Sequence, residues 1–403
     1  MRTLVLSDLH LGCGGDPGIF AGAHALVALL DGLATRRLRI ILNGDTFDFP
    51  AQDPTGAGAD VAGALTQDPG NARVLSALGR AIERDGELIV RGGRHDPQLE
   101  LAAVQDHVLR GLQLSSAGAR RVAFHAATRP TRCQVGRATV LVARAFTEDP
   151  IDDPLAAGPI YGLLNARRRQ FGVGLPDLLR PHPGAAALTA LAVNPTAIKH
   201  LLADLPDAGR RLLSALRSSP SIERAELSPR EAEVLLAAID PAVILGAAAL
   251  DDGALLRARR KLLRAGLRGL TRASAELREL ADDEWAGARA LAHAEGATAV
   301  IAGHTHAAGW RADPGLVACD TGAWTWLPRT PAPGSDDDLW DAYLDQWQRI
   351  PRIDARRSGA PPVRLQLTAA LLGARGRQAV LTLIEWRDGA SLLLRQHEIV
   401  AAT

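Results

Sequence analysis

Four short apolar segments of this 403-residue chain are each followed at once by a cluster of Gly, Asp and His. The clusters are Asp8-Leu9-His10, Gly44-Asp45-Thr46-Phe47-Asp48, Gly92-Gly93-Arg94-His95-Asp96 and Gly303-His304-Thr305-His306. Residues two apart at the end of a strand lie on the same face, because side chains alternate along a strand. Carboxylate and imidazole together suit Zn, Mn or Fe, and glycine permits tight turns beside them. The recurrence of these clusters predicts a metal site built from strand ends.

The segments around these clusters alternate between strand-like and helix-like patterns. Helices are predicted at 21–36 and 71–85, with a Gly/Asp/Pro-rich loop at 50–70 between them. Strands are predicted at Thr3–Ser7, Ile40–Asn43, Glu87–Arg91, 120–125, 135–143, Ala297–Ala302, Leu316–Thr321, 363–368, 379–386 and 391–398. The last two are joined by Arg387-Asp388-Gly389-Ala390, whose Asp-Gly step is typical of a hairpin. This order predicts an α/β (α+β) fold with a largely buried sheet.

Residues 158–295 differ from the rest of the chain. They are dominated by Ala, Leu and Arg, and Pro and Gly separate the candidate helices. We interpret this stretch as a large helical insertion. The remaining residues, 1–157 and 296–403, then form one discontinuous domain. Within it, the stretch 328–362 is expected to be a surface excursion with a helix near 336–348.

Composition narrows the class of protein. Lys and Arg number 46 against 45 Asp and Glu, which excludes a uniformly basic nucleic-acid binder. Three cysteines in so long a chain argue against a disulfide framework and indicate a reducing compartment. The first residues lack a signal-peptide pattern, and the longest apolar runs are about half of the ~20 residues that a bilayer span needs. We therefore expect a cytoplasmic protein with no transmembrane segment.

The clusters resemble those of the calcineurin-like metallophosphoesterases. That family's pattern runs Asp-x-His, Gly-Asp-x-x-Asp, Gly-Asn-His-Asp, a lone His after a strand, and Gly-x-His or Gly-His-x-His. The resemblance covers residues 1–155 and 296–326. The Ser7–Gly12 opening and the Asp320–Trp324 strand end are also similar to this family, including its branch of lipid-A-pathway pyrophosphohydrolases. The resemblance implies a four-layer β-sandwich flanked by helices, with a two-metal site at the sheet ends.

The resemblance also implies which residues hold the metals. Asp8, His10 and His306 would hold the first ion. Asp45 would bridge both ions, and His304 would hold the second. Two cations close together can clamp the phosphoryl oxygens and acidify a bridging water.

Two further residues are assigned to the leaving group. His95 would protonate the departing alkoxide, and Asp96 would orient His95. A positioned imidazole supplies the proton that such a leaving group requires.

The chain departs from the family pattern at two positions. Arg94 stands where the family has Asn before the catalytic His, and Arg144 stands where the lone His should follow a strand. Both lost ligands belong to the second metal, and arginine has no lone pair to offer. The second site keeps only Asp45 and His304, too few to hold a cation tightly.

Three explanations remain open. In the first, Arg94 and Arg144 replace the second ion and grip phosphate while one metal activates water. This predicts a metal-dependent hydrolase of phosphate mono- or diesters with one divalent transition metal (Mn, Zn or Fe) per chain. In the second, the site is catalytically impaired, and the protein binds a phosphate ligand or a partner without turnover. In the third, His125 supplies the missing imidazole, although it lies a whole strand too early.

A basic segment in the insertion suggests a further partner. The segment 257–272 carries arginines at four-residue spacing, at Arg260, Arg264, Arg268 and Arg272. As one helix it would present a basic face to an anionic membrane surface or a nucleic acid. The alternative is a solvated face on a helical bundle, because Gly266 and Gly269 weaken the helix.

Overall fold

The computed structural model describes residues 1–12, 20, 22–33, 37–49, 58–147, 228, 257, 258, 260, 261, 264, 277–332, 334–349, 363–376 and 378–399. The chain divides into two compact units. Unit 1 comprises Met1–Glu148, Ala275–Leu327 and Arg364–Thr403, and unit 2 comprises Asp149–Ser274 and Pro328–Val363. Most of the predicted helical insertion lies outside the described residues, so its helical character stays a prediction, whereas its last residues, from Ala275 on, lie in unit 1.

The described elements follow in chain order. The first are β1 (Arg2–Leu6), α1 (Ala23–Leu33), β2 (Leu38–Asn43), α2 (Gly58–Gln67), α3 (Pro69–Glu83) and β3 (Glu87–Arg91). A 3-10 turn at Pro97–Glu100 precedes α4 (Ala102–Leu112), α5 (Ser116–Ala119), β4 (Val122–His125), β5 (Thr131–Val135) and β6 (Ala138–Val142). Next come β7 (Arg278–Glu279), α6 (Asp282–Glu295), β8 (Ala299–Ala302), β9 (Gly309–Asp313), β10 (Leu316–Asp320) and β11 (Trp326–Pro328). The last are α7 (Asp337–Arg349), β12 (Val363–Leu365), β13 (Thr368–Arg375), β14 (Gln378–Arg387) and β15 (Ala390–Ile399).

The first sheet has seven strands in the order β15-β14-β13-β1-β2-β3-β4. Strands β1 to β4 are parallel, whereas β13 pairs antiparallel with β1 and continues into β14 and β15. The predicted hairpin joins β14 to β15, with φ of 52° at Asp388 and 81° at Gly389. Positive φ at both central residues is the geometry that an Asp-Gly turn favours between two strands.

The second sheet has six strands in the order β5-β6-β8-β10-β9-β7. Its central strands β6, β8 and β10 are parallel. Strand β9 was not predicted, because its partly exposed residues Gly309–Asp313 carry no run of apolar side chains. It forms an antiparallel hairpin with β10. Helix α2 was also missed, since it occupies part of the predicted loop at 50–70.

The two sheets pack face to face in unit 1. Val5 and Ile41 of the first sheet share an apolar core with Val140 and Ile301 of the second. Adjacent strand residues point the other way, since side chains alternate along a strand. They pack against α1 to α4 on one side and against α6 on the other. The order helix, sheet, sheet, helix confirms the expected four-layer sandwich, and α6 belongs to it although it falls in the range predicted as insertion.

Parallel pairing gathers the predicted site at one edge of each sheet. The carboxyl ends of β1, β2 and β3 are neighbours in the first sheet, and those of β6 and β8 are neighbours in the second. Each of these five strands is followed by a loop that carries predicted site residues. Loops beyond the carboxyl ends of parallel strands are the usual place for binding sites in α/β proteins.

Unit 2 contains an acidic helix, α7, that forms ion pairs with the basic segment 257–272. Two described arginines of this segment pair with α7: Arg260 lies 3.2 Å from Asp341 and 3.1 Å from Asp345, and Arg264 lies 2.7 Å from Asp337. These arginines are therefore neutralised within their own unit, which favours the packed-bundle alternative. The membrane or nucleic-acid partner stays a prediction. Among the described residues, none of the helices has both the length and the apolar character needed to cross a bilayer.

Candidate metal centre

Three buried side chains from two sheets converge on one point. His10 Nε2 lies 3.2 Å from His306 Nε2, and His306 Nε2 lies 3.4 Å from Asp8 Oδ1. The ligand atoms of all three residues lie within 4.8 Å of one another. Asp8 and His10 follow β1 of the first sheet, and His306 follows β8 of the second. The structure thus brings together the three residues expected to hold the first metal.

The spacing of these atoms fits a shared cation. Two nitrogens bound to one zinc ion at its usual bond length and tetrahedral angle lie about 3.3 Å apart. The two imidazole nitrogens here are 3.2 Å apart, close to that separation. On the far side of the His306 ring, Nδ1 lies 3.4 Å from the Thr325 hydroxyl, the kind of contact that fixes the orientation of a ligating ring.

The protonation states also suit metal binding. Burial, together with the charges of His95 and His306, lowers the pKa of His10 to about 3, so its ring is neutral at pH 7. Burial alone would raise the pKa of Asp8, but the hydrogen bond and the charge of His306 outweigh it and lower that pKa. A metal is bound by the neutral imidazole and the ionised carboxylate.

The predicted ligands share an unusual backbone conformation. Eight non-glycine residues in the described chain have positive φ, and five of them are predicted metal ligands. They are Asp8 (54°), His10 (50°), Asp45 (49°), His304 (80°) and His306 (59°). Such a conformation costs roughly 1–3 kcal/mol per residue and persists only where the surroundings enforce it. Strain concentrated in this way is typical of a functional site.

Two glycines permit the close approach of these loops. A Cβ atom on Gly93 would lie 2.1 Å from Asp45 Oδ1, and one on Gly303 would lie 2.6 Å from Asp8 Oδ2. Neither distance is compatible with a side chain at these positions. The glycines that sequence analysis placed beside the site are therefore needed for steric reasons.

Asp45 and His304 lie beside this group but outside it. Two groups of residues in the described chain could each hold a metal, Asp8-His10-His306 and His10-Asp48-His95, and neither includes Asp45 or His304. Asp45 Oδ1 accepts a hydrogen bond from the His95 backbone amide at 2.8 Å. The His304 amide donates to Asp8 Oδ2 at 2.8 Å. Their predicted roles, bridging the ions and holding a second one, stay predictions.

Arg94 and Arg144 place positive charge next to His304. Burial and the charges of both arginines lower the pKa of His304 to about 3. Burial would raise the pKa of Asp45, but the charges of His95, His10 and Arg94 lower it. Arg94 is buried after β3, and Arg144, half-buried after β6, passes close to Gly44, where an added Cβ would lie 3.8 Å from Arg144 Cγ. Both guanidinium charges therefore act on His304, the residue expected to hold a second metal.

His95 is oriented by a residue that sequence analysis left unassigned. Its Nδ1 lies 3.2 Å from Asp48 Oδ1, and both side chains are buried. Its ring meets the His10 ring edge-on, with centroids 4.6 Å apart. Asp48 was visible in the sequence as the second carboxylate of the Gly-Asp-x-x-Asp cluster. That motif was the signal from which its role could have been inferred.

Asp96 does not orient the His95 ring, which corrects the sequence-based assignment. Its carboxylate accepts hydrogen bonds from the backbone amides of Thr46 at 2.7 Å, Phe47 at 3.1 Å and Gly93 at 2.5 Å. Burial and the charge of Asp45 raise the pKa of Asp96 to about 8, against the effect of these amides. Asp96 instead ties the loop after β2 to the loop after β3. It therefore acts on His95 only through the backbone.

His125 does not supply a missing ligand. It is exposed at the end of β4, and its Nδ1 lies 3.2 Å from the Thr131 hydroxyl. Neither ligand group among the described residues includes it. Its exposed position on the edge strand of the first sheet, beside Thr131, does not favour the explanation that relied on His125.

Arg91 is fully buried behind the loops that carry the site, and sequence analysis did not predict its role. The Arg91 guanidinium donates to Asn43 Oδ1 at 2.5 Å and to the Val142 carbonyl at 2.9 Å. It also donates to the carbonyls of Ala127 at 3.2 Å and Arg129 at 2.7 Å. Burial and the charge of Arg144 lower the pKa of Arg91 to about 10, so it remains a cation. Arg91 thereby ties β3 to the end of β6, two residues before Arg144.

Comparison with known proteins adds little to this geometry. No protein-family model matches the chain, and the search of curated proteins found no match. A double mutant of Vps29 from Entamoeba histolytica aligns over 99% of this chain and 100% of its own, with 10% identity and a TM-score of 0.33. A single mutant of the same protein aligns over the same shares with 9% identity and a TM-score of 0.31. At TM-scores this low the similarity supports no conclusion about function, which has to be argued from the residues of the site.

Proposed function

We propose that unit 1 is a metal-dependent phosphoesterase that hydrolyses phosphate mono- or diesters. The observation that supports this most directly is the convergence of three buried ligand atoms, from Asp8, His10 and His306, on strained backbone. These residues would hold one divalent transition metal, Mn, Zn or Fe. Bound there, the ion would act as a Lewis acid and lower the pKa of a water molecule. The finer resemblance to lipid-A-pathway pyrophosphohydrolases is part of this proposal.

The arginines account for the charge that a second metal would supply. Arg94 and Arg144 bind the phosphate oxygens, since a guanidinium fork matches two oxygens of a tetrahedral anion. Both are permanently charged, and the effect of both on His304 supports their placement beside that residue. They hold the phosphoryl group and offset the charge that builds up on its oxygens during the reaction.

His95 supplies the proton for the leaving group. With its Nδ1 paired to Asp48, His95 would transfer a proton from Nε2. The His10 ring packs against His95 and limits its rotation. Proton donation from a ring held in this way assists the departure of an alkoxide.

Metal content tests this proposal. Purified protein, dialysed against metal-free buffer and analysed for its elements, is expected to hold one transition metal per chain. His306→Ala is expected to lose it, because two ligands rarely hold such an ion tightly. His125→Ala is the matched control and should keep the metal. A metal-free wild-type protein that stays folded and hydrolyses no phosphate ester with added Mn or Zn would contradict the proposal and favour a phosphate-ligand or partner-binding module.

The arginine substitution has its own test. Restoring the family residues with Arg94→Asn and Arg144→His together is expected to raise the metal content from one ion to two per chain. Each single change should weaken the binding of inorganic phosphate, because it removes a cation without completing a coordination shell. Calorimetric titrations with Mn and with phosphate measure both quantities. If the double variant still holds one ion, the arginines do not stand in for a metal.

A further inference from the structure

A buried polar network that the proposed mechanism does not use lies beneath the His-x-His loop. Arg278 of β7 forms a two-pronged ion pair with Glu284 of α6, at 2.5 and 2.9 Å. Its Nη2 also donates to the Thr305 hydroxyl at 3.0 Å and lies 3.7 Å from Asp320 Oδ2. Its Nε donates to the Ala307 carbonyl at 3.3 Å. One guanidinium therefore joins β7, α6, the end of β10 and the loop after β8.

The Thr305 hydroxyl is the centre of this network. It donates to Asp320 Oδ2 at 2.8 Å and accepts from the Ala307 amide at 3.2 Å, in addition to Arg278. Asp320 is fully buried, and its other oxygen accepts from the Gly322 amide at 2.8 Å. Arg278 and Asp320, the two side chains that bond the hydroxyl, are thus each fixed by a further partner.

Thr305 separates the two histidines whose backbone is strained. His304 has a φ of 80° and His306 one of 59°. On its other side, the loop is held by the His304 amide, which donates to Asp8 Oδ2 at 2.8 Å. A strained loop relaxes when the contacts that enforce it are removed. The network fixes this loop together with the His304 amide and the contact of His306 Nδ1 with the Thr325 hydroxyl.

We propose that Arg278, Thr305 and Asp320 form a clamp that positions His306 for metal binding, and holds the neighbouring His304 in place, without touching the metal. This proposal depends on the proposed metal site, because the clamp would act by holding His306 in position to bind the ion. Glu284 holds the Arg278 guanidinium in place through its ion pair. Its Oε2 also accepts a hydrogen bond from the Ala281 amide at 2.8 Å, at the start of α6. The clamp residues are positioning residues.

Thr305→Val tests the clamp. The change removes the hydroxyl, keeps a side chain of similar shape and leaves the ion pair of Arg278 with Glu284 in place. Co²⁺ affinity, measured by calorimetry and by the visible spectrum of the bound ion, is expected to fall about 10- to 100-fold, as for other partners of metal ligands. Thr305→Ser keeps the hydroxyl and should restore the affinity. Thr139→Val is the control. It removes a half-buried hydroxyl on β6 of the second sheet, which accepts a hydrogen bond from Gln134 at 2.8 Å, and should leave the Co²⁺ affinity unchanged.

Hydrogen–deuterium exchange of the metal-free proteins separates the clamp from the metal site. In Thr305→Val the peptide spanning 303–308 is expected to exchange faster than in wild type, while Thr305→Ser and Thr139→Val exchange as wild type does. If wild type binds no Co²⁺, the proposed function fails and the positioning for metal fails with it, whatever the exchange shows. If wild type binds Co²⁺ and Thr305→Val keeps both its affinity and its exchange rate, the clamp is wrong and the metal site stands.

Discussion

His95→Ala is expected to lower turnover about 10²- to 10⁴-fold on phosphate esters with alkyl leaving groups. An alkoxide leaves slowly without a proton, and His95 is a buried imidazole of the site whose Nδ1 is paired with Asp48. On nitrophenyl phosphates the loss should be much smaller, because nitrophenolate leaves without a proton. The ratio of the two losses, measured as kcat with saturating metal, is the diagnostic quantity.

Two further variants sharpen the interpretation of His95. Asp48→Asn should show the same dependence on the leaving group with a smaller loss, since it weakens the orientation of the ring and leaves the imidazole in place. Asp96→Asn should show no such dependence, because the Asp96 carboxylate bonds backbone amides. Equal losses on both classes of ester in His95→Ala would mean that this residue serves another purpose.

Gly93→Ala is expected to abolish tight metal binding and to lower the free energy of unfolding by about 1–3 kcal/mol. The added Cβ would lie 2.1 Å from Asp45 Oδ1 and 2.3 Å from the Asp45 amide nitrogen, so the loops after β2 and β3 have to separate. The Asp45 amide belongs to the rigid turn after β2, and it cannot move without Gly44 and Thr46. Denaturant unfolding and Mn titration measure the two effects.

The neighbouring glycine provides the control. A Cβ on Gly92 would find its nearest neighbour, the Asp96 carbonyl oxygen, at 3.7 Å, an ordinary contact distance. Gly92→Ala should therefore keep the metal and change the free energy of unfolding by less than about 1 kcal/mol. Equal behaviour of the two variants would show that close approach at Gly93 does not hold the site together.

The sequence predicted the outline of the site because that outline follows local rules. Strand ends carrying Asp, His and Gly are recognisable from a few residues, and parallel strands gather such ends at one edge. What distinguishes Asp48 from Asp96 is not local. Both carboxylates lie within the same kind of cluster, and only the folded loops decide that one meets the His95 ring and the other meets three amides.

The buried arginines escaped prediction for the same reason. Arg91 finds its partners on Asn43, Val142 and the loop after β4, and Arg278 finds Thr305 and Asp320 on other strands. No residue spacing in the sequence predicts such contacts, because they join elements that are distant along the chain. The short strand β7 that carries Arg278 is equally invisible, because two residues have no detectable period.

The central position of β1 determines when the proposed metal site can be completed during synthesis. β1 pairs with β2 on one side and with β13 on the other. Thr3 of β1 therefore cannot pair with Leu372 of β13 until almost the whole chain has been synthesised. His306 likewise leaves the ribosome almost three hundred residues after Asp8 and His10. Contacts between such distant parts of a chain form slowly, and a nascent chain exposes the unpaired edge of β1 in the meantime. Completion of the proposed metal site is therefore a late step, and the unpaired edge of β1 exposes the nascent chain to aggregation until then.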